Sequence, residues 1–360
     1  MSRIAVVGAG GYVGRILCTH LASHGHEVVG VARSNGALLL AKTGAIAIEP
    51  RDVASIGDVD VVANLAYPSG GSPLLDPARN KDIGKLVQTL ARTRGRVIHV
   101  STQAVFGLHL DREPVAGPCK RARDFPYVEA KIELEHWLRR RFGAKLVVIR
   151  LGNVWGPGSP NWTAGLADRL MFGQPVGVVG ADGWSNLTDV GNAVALIAYC
   201  IDRDDIGGDF FHLAEFSDRR WSPIVDAFAA ELDVEPVRVH APVPSSWSVG
   251  KELRAAWGIC GPPGLGRWLL SQRYAGSVLR GVMRRLPAAV LAQMRGSRGA
   301  SGPRPTVSED AFLQILACER RFESILPSAW RPSRSWTDSW LAVRDWLLRA
   351  GYGVGGGVRG

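Results

Sequence analysis

The sequence lacks several features that would assign it to a simple class. Its five cysteines, Cys18, Cys119, Cys200, Cys260 and Cys318, stand far apart, with no CxxC pair. That spacing excludes a disulfide framework and a cysteine-based zinc site, so no metal is expected, and it points to a reducing cytoplasm. No stretch reaches the roughly 18 uninterrupted apolar residues that a membrane-crossing helix needs. Met1-Ser2-Arg3 runs straight into an apolar strand pattern, without the layout of a secretory signal. Asp and Glu are missing from Leu253 to Ser308, where nine arginines stand. That segment supplies nearly all of the net charge of +10. The basic balance is therefore local and gives no argument for a nucleic-acid partner.

What is present is a chain of 360 residues, 46% hydrophobic, long enough for one large α/β unit or two joined lobes. Ile4 to Val7 is an apolar run that ends in Gly8-Ala9-Gly10-Gly11-Tyr12-Val13-Gly14. A helical pattern follows, with Ile16, Leu17 and Leu21 on one face, and Glu27 to Ala32 reads as a second strand. Strand, glycine loop, helix and strand make a βαβ unit. Further strands are predicted at Val59–Ala63, Val97–Val100 and Lys145–Ile149, and helices at Asn80–Arg92 and Tyr127–Arg141. The alternation predicts an α/β fold: a Rossmann doubly wound parallel sheet with a smaller C-terminal substrate-binding lobe.

Residues 1–158 are assigned to the dinucleotide-binding domain, with later strands from about 186–214. Residues 159–360 are assigned to the substrate lobe, with a basic insertion at 253–308 and a disordered glycine-rich tail at 351–360. Eleven of the twelve tryptophans follow Arg150, which suits either a rigid aromatic substrate cover or an aromatic core.

A helix N-terminus leaves backbone N–H groups unpaired and carries partial positive charge. A pyrophosphate fits there if the preceding turn carries no side chains. Gly8, Gly11 and Gly14 form GxxGxxG between a strand and a helix, Gly10 adds another bare position, and Tyr12 and Val13 open the helix. This context points to dinucleotide binding. The second strand ends at Arg33, where an Asp or Glu would repel a 2′-phosphate. Arginine pairs with that phosphate, so NADP(H) is favoured over NAD(H). Either Asp52 or Glu49 could bond the adenine amine.

Tyr127 and Lys131 form YxxxK, which on a helix brings both heads to one face. Free tyrosine titrates at about 10, and a neighbouring ammonium favours its phenolate. Thr102 ends the strand at Val97–Val100, at the edge where such sheets bind ligands, and it could hold a substrate oxygen beside Tyr127.

In combination these motifs resemble the extended short-chain dehydrogenases/reductases, the NAD-dependent epimerase/dehydratase family. Gly8, Gly11 and Gly14 resemble its cofactor loop. Asp60 to Ala66, with Leu65, resembles its fourth strand, which passes under the nicotinamide side. Asn80 to Gly84 resembles its NxxG helix start. Ser101-Thr102-Gln103-Ala104-Val105-Phe106-Gly107 is similar to its S-[ST]-x-x-V-Y-G segment, with Phe106 for the usual tyrosine. Arg150 to Gly158 resembles its R-x-x-N-V-Y-G-P-G loop, and Pro332 to Leu347 its closing helix. The resemblance implies a triad acting on a C–OH/C=O pair. Tyr127 would be the acid/base, Lys131 would lower its pKa and bond the nicotinamide ribose, and Thr102 would orient the substrate oxygen. Asn153 would touch cofactor or substrate, Leu65, Ala66 and Asn80 would line the cofactor, and Gln103 and Trp155 would face the substrate.

Members that eliminate water carry Asp-Glu after the catalytic hydroxyl. Gln103 and Ala104 replace them and cannot titrate, so dehydration is not expected. Asp189 and Asn192 stand where the family shows His-Val-x-Asp. A sugar-nucleotide ketoreductase or epimerase is the first expectation, and a membrane-surface hydroxysteroid- or isoprenoid-type alcohol dehydrogenase the second. For the second, the insertion would form a basic amphipathic helix over residues 267–295 in peripheral contact with the membrane. The expected partner is a small molecule, foremost a nucleotide sugar, and a homodimer is carried forward as the oligomeric expectation. Arg33→Asp should move preference from NADPH towards NADH in paired titrations, and an unchanged ratio would remove the 2′-phosphate assignment.

Overall fold

The computed structural model describes residues 1–67, 76–92, 95–107, 117, 126–240 and 311–352. The basic insertion, its expected helix at 267–295 and the tail from residue 353 lie outside the described residues.

The expected strands form, with ends shifted by one or two residues. Strand β1 (Arg3–Val7) is followed by helix α1 (Tyr12–Ser23), β2 (Glu27–Val31), the single turn α2 (Ser34–Ala37), β3 (Ile46–Ile48) and β4 (Val61–Asn64). Helix α3 (Asp76–Ala91), β5 (Arg96–Thr102), α4 (Pro126–Phe142) and β6 (Leu146–Leu151) continue the alternation. After β7 (Asn153–Trp155) come α5 (Ala164–Met171), β8 (Val178–Val179), β9 (Leu187–Asp189), α6 (Val190–Ile201) and β10 (Phe210–Leu213). Helix α7 (Trp221–Leu232), β11 (Val239–His240), α8 (Ala311–Leu316) and α9 (Trp336–Arg349) complete the described chain.

Seven strands form one sheet in the order β3-β2-β1-β4-β5-β6-β10, and every neighbouring pair is parallel. Residue alternation explains why both faces are covered. In β1, Ile4 and Val6 join the core shared with Leu17 and Leu21 of α1 and Ile197 of α6. Ala5 and Val7 join the opposite core, with Val87 of α3 and Leu134 of α4. Strand order reverses between β1 and β4, which opens a crevice at the C-terminal edge of the sheet.

Of the late strands, β10 joins the main sheet, and β9 pairs with β7, where the Asn153 N–H bonds the Asn186 carbonyl (2.8 Å). One expectation needs correction. Asn80 does not start a helix: α3 begins at Asp76, and Asn80 is buried within it. From there its Nδ2 donates to the Ala130 carbonyl at 2.8 Å, tying α3 to α4.

A further hydrophobic core packs Trp155, Trp162 and Trp221 with Phe228, Leu313 and Val343. The aromatic-core reading of the tryptophans holds for these residues.

A buried ion pair joins α4 to the sheet. Arg150 on β6 donates from Nε (3.1 Å) and Nη2 (2.6 Å) to the two carboxylate oxygens of Glu135, and both side chains are almost fully buried. The rings of Phe210 and Phe106 flank the guanidinium at 4.7 and 5.2 Å. Removing one partner strands the other charge in the core. Glu135→Ala should therefore cost about 3–5 kcal/mol in denaturant unfolding. A loss below about 1 kcal/mol, as for an exposed pair, would show that the pair is not structural.

Candidate active site

The cofactor cradle follows from close approaches. Gly8 has φ +86°, and a Cβ there would stand 2.8 Å from the Ala66 nitrogen, so the glycine loop lies against the chain leaving β4. A Cβ on Gly14 would stand 2.4 Å from the Gly8 oxygen, and one on Gly10 would stand 2.7 Å from the Gly36 Cα. Bare backbone is thus required at three points around the start of α1. Gly11 caps that helix with extended backbone, and no acidic residue enters its first turn. An anion fits such a terminus.

The Tyr12 hydroxyl donates to the Pro157 carbonyl (3.1 Å), linking this turn to the Gly156–Gly158 loop. Val13 packs inward against the sheet. Arg33 is exposed at the end of β2. Glu49 and Asp52 both engage Arg51, at 3.2 and 3.6 Å.

On the other side of the switch point, α4 presents Tyr127, Lys131 and Glu135 at successive i, i+4 positions. Lys131 is buried, and its Nζ donates to the Val100 carbonyl of β5 at 3.2 Å. Burial lowers its pKa to about 8, with the Glu135 carboxylate acting the other way. The Tyr127 ring remains about a third exposed (37%), yet crowding around its hydroxyl pushes the pKa up to about 12. A hydrogen bond with Thr102 pulls it back and Tyr67 adds to the rise, so the lowering by Lys131 that the resemblance implied is corrected to a net increase driven by burial. Thr102 ends β5, and its Oγ1 accepts from the Ala104 N–H (3.2 Å) to cap the turn Gln103–Phe106. The triad expected from the sequence therefore converges on one sheet edge.

Gln103 is buried in that turn, and its amide finds no partner among the described residues. Asn153 is partly buried, and its Nδ2 donates to the Ser185 carbonyl at 2.7 Å. Trp155 is a correction. It is fully buried, and its ring stacks on Trp336 at 4.7 Å and on Trp340 at 6.4 Å. It has no surface left for substrate.

Several groups at this edge carried no sequence motif. Tyr67 meets Tyr127 edge to face. Below the site, His99 is held neutral: burial and the Lys131 ammonium lower its pKa to about 3. Its Nδ1 lies 3.1 Å from Asn64 Nδ2. Arg320 donates to the Phe106 carbonyl (3.1 Å), so the chain after the insertion lies across the catalytic turn. Arg220 and Arg321 flank the Trp184 ring at 3.6 and 5.7 Å. Only Glu135 had a readable signal, eight residues beyond Tyr127 on the same helix face.

The sequence profile of the NAD dependent epimerase/dehydratase family matches residues 4–211. This chain belongs to that family. Among solved structures, the UDP-glucose 4-epimerase of Thermotoga maritima with UDP-glucose aligns over 68% of this chain and 87% of its own. Its TM-score is 0.55 and its identity 18%. The Bordetella bronchiseptica enzyme WbmH, in complex with NAD+, aligns over 67% of this chain and 86% of its own, with TM-score 0.55 and 21% identity. At such identities the likeness establishes the fold. Among curated proteins, the 2-alkyl-3-oxoalkanoate reductase of Stenotrophomonas maltophilia is 28% identical over 189 residues, covering 48% of this chain and 57% of the relative. An uncharacterized protein of Mycobacterium tuberculosis is 34% identical over 105 residues, 28% of this chain and 12% of that protein. The chain thus spans about half the first relative's length and less of the second.

Asp189 and Asn192 belong to a buried polar cluster. Asp189 caps α6 through the Gly191 N–H (2.7 Å) and pairs with Arg334 at 3.0 Å. Glu215 accepts from the Asp189 N–H and from Asn192 Nδ2, both at 2.8 Å. Burial, with Asp189 adding, raises the Glu215 pKa from 4.5 to about 7. An acid whose folded pKa exceeds its unfolded value stabilises less as pH rises between the two. Glu215→Gln keeps the acceptor oxygen and removes the titration. It should flatten the fall of Tm between about pH 4.5 and about 7, and a slope equal to the parent's would exclude Glu215 as the titrating group.

Proposed function

We propose that the protein is a nicotinamide-dependent ketoreductase acting on a C–OH/C=O pair, with a nucleotide sugar as the first substrate class. The carrying observation is the shared α4 face of Tyr127 and Lys131 beside Thr102, at the sheet edge that also holds the glycine cradle. A bound nicotinamide supplies or accepts the hydride. Gly8, Gly10 and Gly11 would leave room for the pyrophosphate beside the backbone of Tyr12, Val13 and Gly14. Leu65, Ala66 and Asn80 would hold the nicotinamide side in this reading, and Arg33 would favour NADP(H). Asp52 or Glu49 would bond the adenine amine. Thr102 orients the carbonyl oxygen, Tyr127 gives it a proton, and Lys131 supports the phenolate left behind. Gln103 and Asn153 bond the rest of the substrate.

The acidities support the direction. A tyrosine held at about 12 keeps its proton at neutral pH, which suits donation to a carbonyl oxygen. Gln103 and Ala104 offer no carboxyl for elimination. Arg220 and Arg321 around Trp184 suit a nucleotide's phosphates and base.

A second reading, a keto-lipid or hydroxysteroid-type oxidoreductase at a membrane surface, is favoured by one observation: the matching curated reductase is named for a β-keto acid carrying alkyl chains. Among the described residues no helix is long and apolar enough to cross a membrane, so contact would be peripheral, through 267–295. The buried free thiols of Cys18, Cys200 and Cys318 support a cytoplasmic setting, and a homodimer completes the reading.

Tyr127→Phe should lower turnover of keto-sugar nucleotides or β-keto acids by about 10²–10⁴-fold, with NADPH affinity measured by fluorescence unchanged. Turnover within a few fold of the parent would remove Tyr127 from the proton-donor role.

A further inference from the structure

Tyr67 follows β4 directly after Ala66, the residue whose nitrogen a Cβ on Gly8 would strike. It therefore sits where the cofactor loop and the catalytic edge meet. Its ring lies 4.9 Å from that of Tyr127, with planes 80° apart. The Lys131 ammonium lies 5.7 Å from the centroid of the same ring. Both tyrosines are exposed to the same extent, 37%. Edge-to-face packing fixes a ring's orientation, and an aromatic face attracts a cation within about 6 Å.

We propose that Tyr67 is a positioning residue for the proton-transfer pair, holding the Tyr127 phenol in line and keeping the Lys131 ammonium charged. The proposal rests on the reading of Tyr127 as proton donor. The surroundings of Lys131 explain why such support matters. Its pKa is already lowered by burial, so the charge is held only weakly near neutrality. Glu135 on α4 attracts it but is committed to Arg150. His99 on β5 is neutral, and the Val100 carbonyl accepts one of its protons. Tyr67 contributes a cation-attracting face from the chain after β4, the side on which the glycine loop lies.

The face is an aromatic property and not a hydroxyl property, so the test compares Tyr67→Phe with Tyr67→Leu in the full chain. The probe reaction is NADPH-dependent reduction of ethyl 4,4,4-trifluoroacetoacetate. Tyr67→Phe should stay within about twofold of the parent. Tyr67→Leu should lose roughly tenfold in kcat with KM little changed. In Tyr67→Leu the alkaline limb, expected near the Lys131 value of about 8, should also move to lower pH.

A second readout needs no substrate. The side-chain carbon resonances of 13C-labelled lysine, assigned by comparison with Lys131→Met in each background, report the Lys131 titration alone. Its midpoint, about 8 in the parent, should fall in Tyr67→Leu and stay in place in Tyr67→Phe. If the parent leaves the probe ketone untouched, the ketoreductase reading loses support, and the lysine titration still decides the role of Tyr67. Equal midpoints in all three proteins, or kcat and pH profile unchanged in Tyr67→Leu, would overturn the proposal.

Discussion

The buried pair between Glu135 and Arg150 is the constraint on which the catalytic edge depends. A carboxylate and a guanidinium are costly to bury apart and tolerable together. Their bidentate contact fixes the rotation of α4 against β6. Once Glu135 faces the sheet, the helical period places Lys131 and Tyr127 along the same line, one and two turns nearer the sheet's C-terminal edge. The pair also sits against Phe106 of the catalytic turn and Phe210 of β10. A single interaction thus gathers β6, the start of β10, the turn after β5 and the helix that carries Tyr127 and Lys131.

The cofactor side is shaped by the opposite device, the removal of side chains. Gly8, Gly10 and Gly14 allow three backbone approaches that any Cβ would prevent. The loop after β4 is drawn against the first of them, which brings Ala66 and Tyr67 towards Tyr127. The glycine loop and Tyr127 are therefore coupled through a short stretch of backbone. The two halves of the sheet meet at the point where its strand order reverses.

Asp189 and Asn192 form a buried polar cluster with Glu215 that clasps Arg334 and the start of the closing helix. The cluster connects α6, the end of β10 and the C-terminal segment. Fold membership does not dictate local chemistry: the likeness to solved structures concerns the architecture, while the acid balance here is read from these residues alone.

Much of the fold was legible in local pattern. Apolar runs of strand length alternate with helical periods, and glycine at bare positions marks the loop between them, because backbone geometry and burial act over a few residues. The same logic exposed Tyr127, Lys131 and Thr102, whose spacing is set by one helix and one strand end. Trp155 escaped it, since whether an indole faces substrate or core depends on Trp336 and Trp340, nearly two hundred residues away. Asn80 looked like a helix start and is instead a cross-link to the carbonyl of Ala130. Tyr67, His99, Arg320 and Glu215 form no motif, and only the packing of distant elements brings them to the site. Sequence by itself determined the sheet, the bare glycine loop and the placing of Tyr127 and Lys131 on one helix face. The tertiary structure alone decided which buried charges meet, because pairing energies at close range depend on contacts that no local spacing encodes.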